Sequence, residues 1–307
     1  MAVIAVDCGG TNLLYGRFDA EGRGEPVGAQ PTPGLAAAIP AAVISAVAPL
    51  LGAGVRAIGI GSAGLVDRAS GTLAWSPHAS GGGVALGPEV AAATGLPVVV
   101  DNDANLAALA EARLGAGAGH RMVLFIGLGT GIGAGLVIDG RIERGRGFLG
   151  EVGHMVLDPS GPPCACGHRG CWEALVSGTA LGRAAAEMAA ADPDGAVARA
   201  AAGARPRGEH LSAAAAADDP AARADLAAAG ARLGRGLANL VVVLDPDVIV
   251  IGGAAAGAGE ALLAPARSAL AAMVEGGAHR APTPVVPAGF GPRAGLVGAA
   301  LAAGEAS

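Results

Sequence analysis

The chain has 307 residues, 52% hydrophobic and 15% charged, with a formal net charge of −6. All twenty basic residues are Arg, which excludes lysine-dependent chemistry: Schiff-base enzymes, pyridoxal-phosphate lysines and the Walker P-loop. The acidic balance, with no Arg-rich stripe, argues against a nucleic-acid partner. The first residues, MAVIAV, form an apolar strand with no basic leader, so no secretory signal is expected. MAVIAVD (1–7), the turn CGGTN and LLYGRFD (13–19) read as a hairpin closed over glycines. Residues 35–52 read as an Ala-rich buried helix. Pro40 and Pro49 interrupt it, which speaks against a membrane span. AIGIGSAG (57–64) reads as a strand ending in a loop, and LPVVVDND (96–103) as a strand with a helix (104–117) behind it. Residues 122–142 read as two strands joined by glycines, with Asp139-Gly140 as a further turn. Residues 179–240 read as helical, with exposed turns within 192–220. LVVVLDPDVIVIGG (240–253) then reads as a strand, 262–274 as a helix, 285–290 as a strand and 294–304 as a last helix. Strands alternating with helices make the class α/β, and a strand followed by a Gly-rich turn near both 7 and 127 points to two similar halves.

Two spans match a dinucleotide fingerprint: Gly59, Gly61 and Gly64, and Gly129, Gly131 and Ala134. The fingerprint requires a helix that opens on the motif, and neither span has one. A pair of phosphate-holding hairpin turns is the better reading. Asp7-Cys8-Gly9-Gly10-Thr11-Asn12 and the run Gly127 to Gly133, with Gly129, Thr130 and Gly131 at its centre, each follow an apolar strand. Glycine lets the backbone approach an anion, and Thr adds a hydroxyl donor.

Asp101-Asn102-Asp103-Ala104-Asn105 stands where a strand ends and a helix begins. A helix N-terminus favours an ionised carboxylate, which suits a general base. Further on come Glu151 and His154, then Cys164, Cys166 and Cys171 with Glu173 close behind. Three thiolates and one imidazole make a closed tetrahedral set, hence a structural zinc site, and both His154 and His168 compete for the fourth place. Cys8 reads as a small core residue, and Arg144 and Arg146 as members of a solvated loop, with contact to an anionic ligand as the alternative.

Together these pieces resemble the ROK sugar kinases, most of all their bacterial ATP-dependent glucokinases. The resemblance rests on DCGGTN (7–12), DNDAN (101–105), GLGTGIGAGLVIDG (127–140), GEVGH (150–154), CACGHRGCWE (164–173), SGTAL (177–181) and DPDVIVIGG (245–253), in family order along essentially the whole chain. It implies an actin-like (hexokinase-like) ATPase fold of two α/β domains flanking a cleft. The domains would be residues 1–108 with a returning C-terminal helix 294–307, and residues 109–293 with the zinc motif. It implies that Asp103 is the general base on the sugar 6-hydroxyl, and that Asn102, Glu151, His154 and Glu173 bind other hydroxyls. It further implies that Gly9, Gly10, Thr11, Asn12, Gly129, Thr130 and Gly131 surround the ATP phosphates, that Asp7 positions Mg²⁺, and that Gly252 and Gly253 lie near adenosine. Zinc would sit on His154, Cys164, Cys166 and Cys171.

The chain departs from the family pattern in having Ala63-Gly64 for the usual Pro-Gly, and Ser76-Pro77-His78 where many members carry Asn after Pro. His78 is therefore a candidate sugar contact that bears on specificity. The expected activity is phosphorylation of a hexose at its 6-hydroxyl, most readily glucose. The alternatives are another hexose, such as N-acetylmannosamine, N-acetylglucosamine or fructose, and, in a different class, a non-catalytic sugar sensor. Family repressors carry a helix-turn-helix before the phosphate loop, which here begins at Asp7. The partners expected are hexose and ATP, with neither nucleic acid nor membrane, in a cytoplasmic homodimer or homotetramer.

Overall fold

In the computed structural model, which describes residues 1–306, the chain divides into two compact units. Unit 1 comprises Met1–Arg121, Gly135–Gly150 and Gly289–Ser307; unit 2 comprises Met122–Ala134 and Glu151–Ala288. Ser307, the end of the expected 294–307 segment, lies outside the described residues.

Unit 1 opens with an antiparallel meander of β1 (Ala2–Cys8), β2 (Asn12–Asp19) and β3 (Gly24–Pro31). Then come α1 (Ile39–Val47), β4 (Val55–Ser62), the hairpin of β5 (Leu65–Asp67) and β6 (Thr72–Trp75), α2 (Leu86–Thr94), β7 (Val98–Asn102) and α3 (Asp103–Leu114). The sheet order is β3-β2-β1-β4-β7, with β4 parallel to both β1 and β7. Side chains alternate across it, as the pleat requires. Ile4, Val6, Ile58 and Ile60 turn to the face covered by α1 and α2, where Val43, Val47, Leu86 and Val90 meet them. Val3, Ala5 and Ala57 turn to the other face, against Leu106 and Leu109 of α3. In register, Asp7 stands beside Gly61, and Gly61 beside Asp101. Both carboxylates thus sit at the C-terminal ends of parallel strands, where open α/β sheets hold their ligands.

Unit 2 is built on β8 (Met122–Leu128) and the opening residues of β9 (Ile132–Ile138). The rest of β9 pairs with β10 (Arg141–Glu143) as a hairpin of unit 1. A helical stretch follows: α4 (Trp172–Val176), α5 (Gly178–Ala191), α6 (Ala196–Ala201), α7 (Gly208–Ala216) and α8 (Pro220–Leu244). Then β11 (Val248–Gly252) lies parallel to β8, α9 (Glu260–Met273) crosses over, and β12 (Val285–Pro287) lies parallel to β11. Among the described residues α8 alone is long and apolar enough to cross a membrane. It packs instead along α9, where Gly230 and Gly234 face the Leu262 and Ala266 carbonyls.

The chain ends in unit 1 with α10 (Ala294–Ala306), whose Leu296, Val297, Ala299 and Ala300 join the face of α3. This contact is backbone to backbone. A Cβ at Gly59 would collide with the Ala299 carbonyl, and one at Gly298 with the Leu106 carbonyl. Gly59 of the rejected first fingerprint is therefore a packing glycine, and β5, not a helix, follows the motif.

Two expectations differ from the structure in detail. Residues 240–244 of the expected strand 240–253 are the last turn of α8, and only Val248–Gly252 is strand. Leu240 and Val241 bury on the helix's inner side, Val242 and Val243 face outward, and Asp245 at φ 48° ends the helix in the left-handed region. The domain boundary expected at 108/109 falls inside α3, and unit 1 runs on to Arg121.

Candidate functional site

The site residues of unit 1 gather at the ends of β1 and β7. Asn102 caps α3, its side chain accepting from the Asn105 N–H at 3.1 Å while its Nδ2 donates to the Gly64 carbonyl at 3.1 Å. Asp103 is the first helical residue, and its Oδ1 accepts from the Ala104 N–H at 2.9 Å. Burial raises the Asp103 carboxyl above the usual carboxylate range, and the Ala104 N–H and the charge of His78 pull it partly back. Asp7 is pushed up to about 7, first by burial and then by the negative charge of Asp103. Its Oδ1 is buried with no hydrogen-bond partner. A buried carboxylate facing a second carboxylate, with one orphaned oxygen, is a donor set suited to a hydrated divalent cation.

The first glycine loop is held from outside by Thr32, whose hydroxyl donates to the Gly9 carbonyl at 2.7 Å and whose N–H donates to the Thr11 carbonyl at 3.0 Å. Gly9 donates to the Asn12 carbonyl at 3.1 Å, which closes the turn. Gly10 lies against the His78 ring, near enough that a Cβ there would fall 2.6 Å from Cδ2. His78 therefore abuts the first glycine loop and also acts electrostatically on Asp103.

In unit 2 the second glycine loop joins β8 to β9. Gly129 donates to the Gly131 carbonyl at 3.0 Å, and Thr130 stands exposed at the tip. The N-terminus of α5 grips it: Gly178 donates to the Gly129 carbonyl at 2.8 Å, and the Thr179 hydroxyl to the Thr130 carbonyl at 2.7 Å. Glu173 closes the loop from the other side. Its Oε2 accepts from the Ile132 N–H at 2.9 Å and occupies the place a Cβ on Gly131 would need. Gly252 ends β11, level with Gly127 of β8, and Gly253 follows at φ 84°.

His154, Cys164, Cys166 and Cys171 are brought together by the loop between them, which folds back on itself. Val156 bridges Cys171, Trp172 donates to the Met155 carbonyl, and the Trp172 ring is fully buried with its Nε1 donating to the Arg232 carbonyl of α8. The four ligand atoms lie within 4.8 Å of one another. Cys164 Sγ is 3.7 Å from His154 Nδ1, and Cys166 Sγ is 3.5 Å from Cys171 Sγ. Zn–S bonds near ~2.3 Å in a tetrahedron separate sulfurs by about 3.7 Å, so the set fits zinc. His154 directs Nδ1 at the thiols, and its Nε2 lies 3.9 Å from Glu151 Oε2. His168 stands exposed outside the four, its Nδ1 3.4 Å from Cys166 Sγ. The backbone N–H of His168 draws the Cys166 thiol down to about 6, while burial pushes Cys171 up to about 12. Cys8 is buried among core residues, its thiol raised by burial.

Arg144 is no member of a solvated loop. Its guanidinium forks onto Asp101 Oδ2 at 3.0 and 2.6 Å and supplies the counter-charge and donors that offset burial of this carboxylate. Thr179 as a loop clamp is likewise invisible to spacing arguments, although Ser177-Gly178-Thr179 carries the signature of a helix start.

Residues 3–306 match the ROK family. The chain belongs to the ROK family. It is 40% identical over 308 residues to the glucokinase of Streptomyces coelicolor, covering 98% of this chain and 97% of that one. Its fold superposes on a ROK family glucokinase from Streptomyces griseus, solved in complex with glucose and AMPPNP, with a TM-score of 0.91 at 40% identity, covering 99% and 100% of the two chains. A ROK family transcriptional regulator gives a TM-score of 0.84 at 29% identity, but this chain covers only 77% of it. The actin-like two-unit α/β architecture expected from the motifs is that of these ROK structures.

Proposed function

We infer that this ROK protein is a hexose kinase that transfers the γ-phosphoryl of ATP to the 6-hydroxyl of glucose. The carrying observation is Asp103: a carboxylate with raised proton affinity, fixed on the first turn of α3 beside Asp7. The full-length likeness to a glucokinase holding glucose and an ATP analogue supports the substrate pair. Phosphoryl transfer depends on positioning and charge stabilisation more than on covalent chemistry, so a lysine-free site suffices. Asp103 accepts the 6-hydroxyl proton as the bond to phosphorus forms. Asn102, His78, Glu151, His154 and Glu173 hold the other hydroxyls, for which amides, carboxylates and imidazole are matched partners. The amides of Gly9, Gly10, Thr11 and Asn12, and of Gly129, Thr130 and Gly131, cradle the phosphates, with Gly252 and Gly253 on the adenosine side.

Asp7 would hold Mg²⁺ or its waters; that ion, when bound, neutralises charge on the transferred group. Zinc on His154 Nδ1 and the three thiolates would fix the imidazole tautomer and leave Nε2 for a sugar hydroxyl. A cytoplasmic homodimer or homotetramer completes this reading, and sedimentation equilibrium tests the assembly.

The deciding experiment is ADP release from MgATP against glucose, mannose, fructose, N-acetylglucosamine and N-acetylmannosamine, with Asp103→Asn alongside. The expected result is turnover with glucose that falls at least a thousandfold in the variant, with glucose still bound. Turnover confined to an N-acetylated sugar would keep the mechanism and overturn the substrate. No turnover with any sugar, with ATP bound, would overturn the enzyme reading in favour of a sensor.

A further inference from the structure

Asp101 precedes the proposed base by two residues, and none of the roles above uses it. Its side chain is 4% exposed, and both oxygens are fully engaged. Oδ1 accepts from the Asn102 N–H at 2.8 Å and from Asn105 Nδ2 at 3.2 Å. Oδ2 accepts two N–H bonds from Arg144 and stands 3.4 Å from Arg68 Nε. Arg144 spends its third group, Nη1, on the carbonyl of Ile142 in β10, at 3.2 Å. The guanidinium therefore spans from the β9–β10 hairpin to the end of β7, a sequence distance of 43 residues. The Oδ1 bonds of Asp101 fall within the five residues that turn β7 into α3, the turn that aims Asn102 and Asp103, and its Oδ2 bonds tie that turn to Arg144.

We propose that Arg144 is a positioning residue for phosphoryl transfer, acting through Asp101 to fix the orientation of the Asn102–Asp103 turn. A buried ion pair is weak evidence for stability, because its desolvation cost cancels much of its Coulomb gain. What the guanidinium does supply is direction: its two donors converge on Oδ2 while the Asn102 N–H and Asn105 Nδ2 hold Oδ1, so the carboxylate is anchored at both oxygens and cannot rotate. The carboxylate in turn holds the Asn102 amide, and a base displaced by about 1 Å loses on the order of a hundredfold in rate. Lysine keeps the charge but has no fork, so it does not restore direction. The inference rests on Asp103 being the base.

The test uses the full-length enzyme with Arg144→Lys, Arg144→Gln, Asp101→Asn and the double variant Arg144→Gln/Asp101→Asn, measured for glucose and MgATP kinetics and for thermal midpoint. The expected result is a more than tenfold loss of kcat/KM for glucose in Arg144→Gln and more than fivefold in Arg144→Lys. KM for MgATP stays within twofold, and the double variant is no worse than the weaker single one, because the pair acts as a unit. If Arg144→Gln does not fold, Arg144→Lys decides. Glucose kinetics within twofold of the parent, losses that multiply in the double variant, or equal losses in glucose and MgATP would each overturn the positioning role. Asp103→Asn run in parallel separates the two readings. A normal rate there removes the base itself, whereas an inactive Asp103→Asn beside an unimpaired Arg144→Gln removes only the positioning role.

Discussion

At the scale of single residues, Asp7 sets function against stability. Its folded pKa near 7 exceeds the unfolded value of 3.8, so the folded protein binds the extra proton. Stability contributed by this group is complete below pH 3.8 and is lost as pH rises towards 7. The thermal midpoint of the metal-free protein should therefore fall across that window, and Asp7→Asn should flatten the dependence. At pH 8 the variant should melt higher than the parent and phosphorylate nothing, because a neutral amide replaces the buried charge that would hold the cation. A variant that melts lower at pH 8 would show that the carboxylate is satisfied without a cation. The sequence placed Asp7 at a strand end beside glycines, but the pairing with Asp103 is a matter of register. Only when β4 lies between β1 and β7, with Gly61 presenting no side chain, do residues nearly a hundred apart face each other.

At the scale of elements, the apolar runs of β1, β4, β8 and β11 were legible because each is largely buried on both faces and reads as a near-unbroken hydrophobic stretch, and the half-buried edge strand β7 was legible from its Val98-Val99-Val100 run. The edge strand β3 was not, since its sequence GEPVGAQP is mostly exposed and carries no alternation. LVVVL at 240–244 misled for the opposite reason: β-branched residues suggest a strand, yet α8 had already begun and tertiary packing carried it through. The cysteine spacing was plain but left His154 and His168 level; the family resemblance favoured His154, and the fold-back of residues 155–172 is what brings it to the three thiols. That fold-back also sets the Cys/His cluster beside residues proposed to hold the sugar. Cys171 immediately precedes buried Trp172 and Glu173, and His154 points Nδ1 at Cys164. Cys164→Ser, or exhaustive chelation, should raise KM for glucose at least ~10-fold, the usual range for loss of a supporting metal shell. It should also lower the thermal midpoint and move KM for MgATP less. Unchanged glucose KM in metal-free protein, verified by elemental analysis, would cut His154 out of sugar binding.

At the scale of the whole molecule, neither unit is a continuous stretch of chain, so unit 1 has to hold its own separate segments together. Glu111 of α3 joins two of those segments within unit 1. It is fully buried, and no cation pairs with it among the described residues. Its Oε2 accepts from the Ala116 N–H at 2.9 Å and the Gly289 N–H at 2.9 Å, and its Oε1 from the Phe290 N–H at 2.8 Å. Ala116 lies on the segment that leaves unit 1 for β8, and Gly289 and Phe290 lie where the chain re-enters it ahead of α10. One carboxylate thus satisfies three backbone donors from two segments that are far apart in sequence, which a lone Glu in an Ala-rich helix could not announce. Glu111→Gln keeps the volume but turns one acceptor into a donor, so at least one buried N–H loses its partner. An unsatisfied buried donor costs about 1–3 kcal/mol, and two amide groups forced donor to donor push the cost to the upper end. The urea midpoint should drop by an amount equivalent to about 2–3 kcal/mol, while kcat in the absence of denaturant stays near that of the parent, because Glu111 touches none of the proposed site residues. A midpoint within experimental scatter of the parent would mean that Gly289 and Phe290 hold their place through α10 packing alone, with Gly298 against Leu106 as the contact that fixes it.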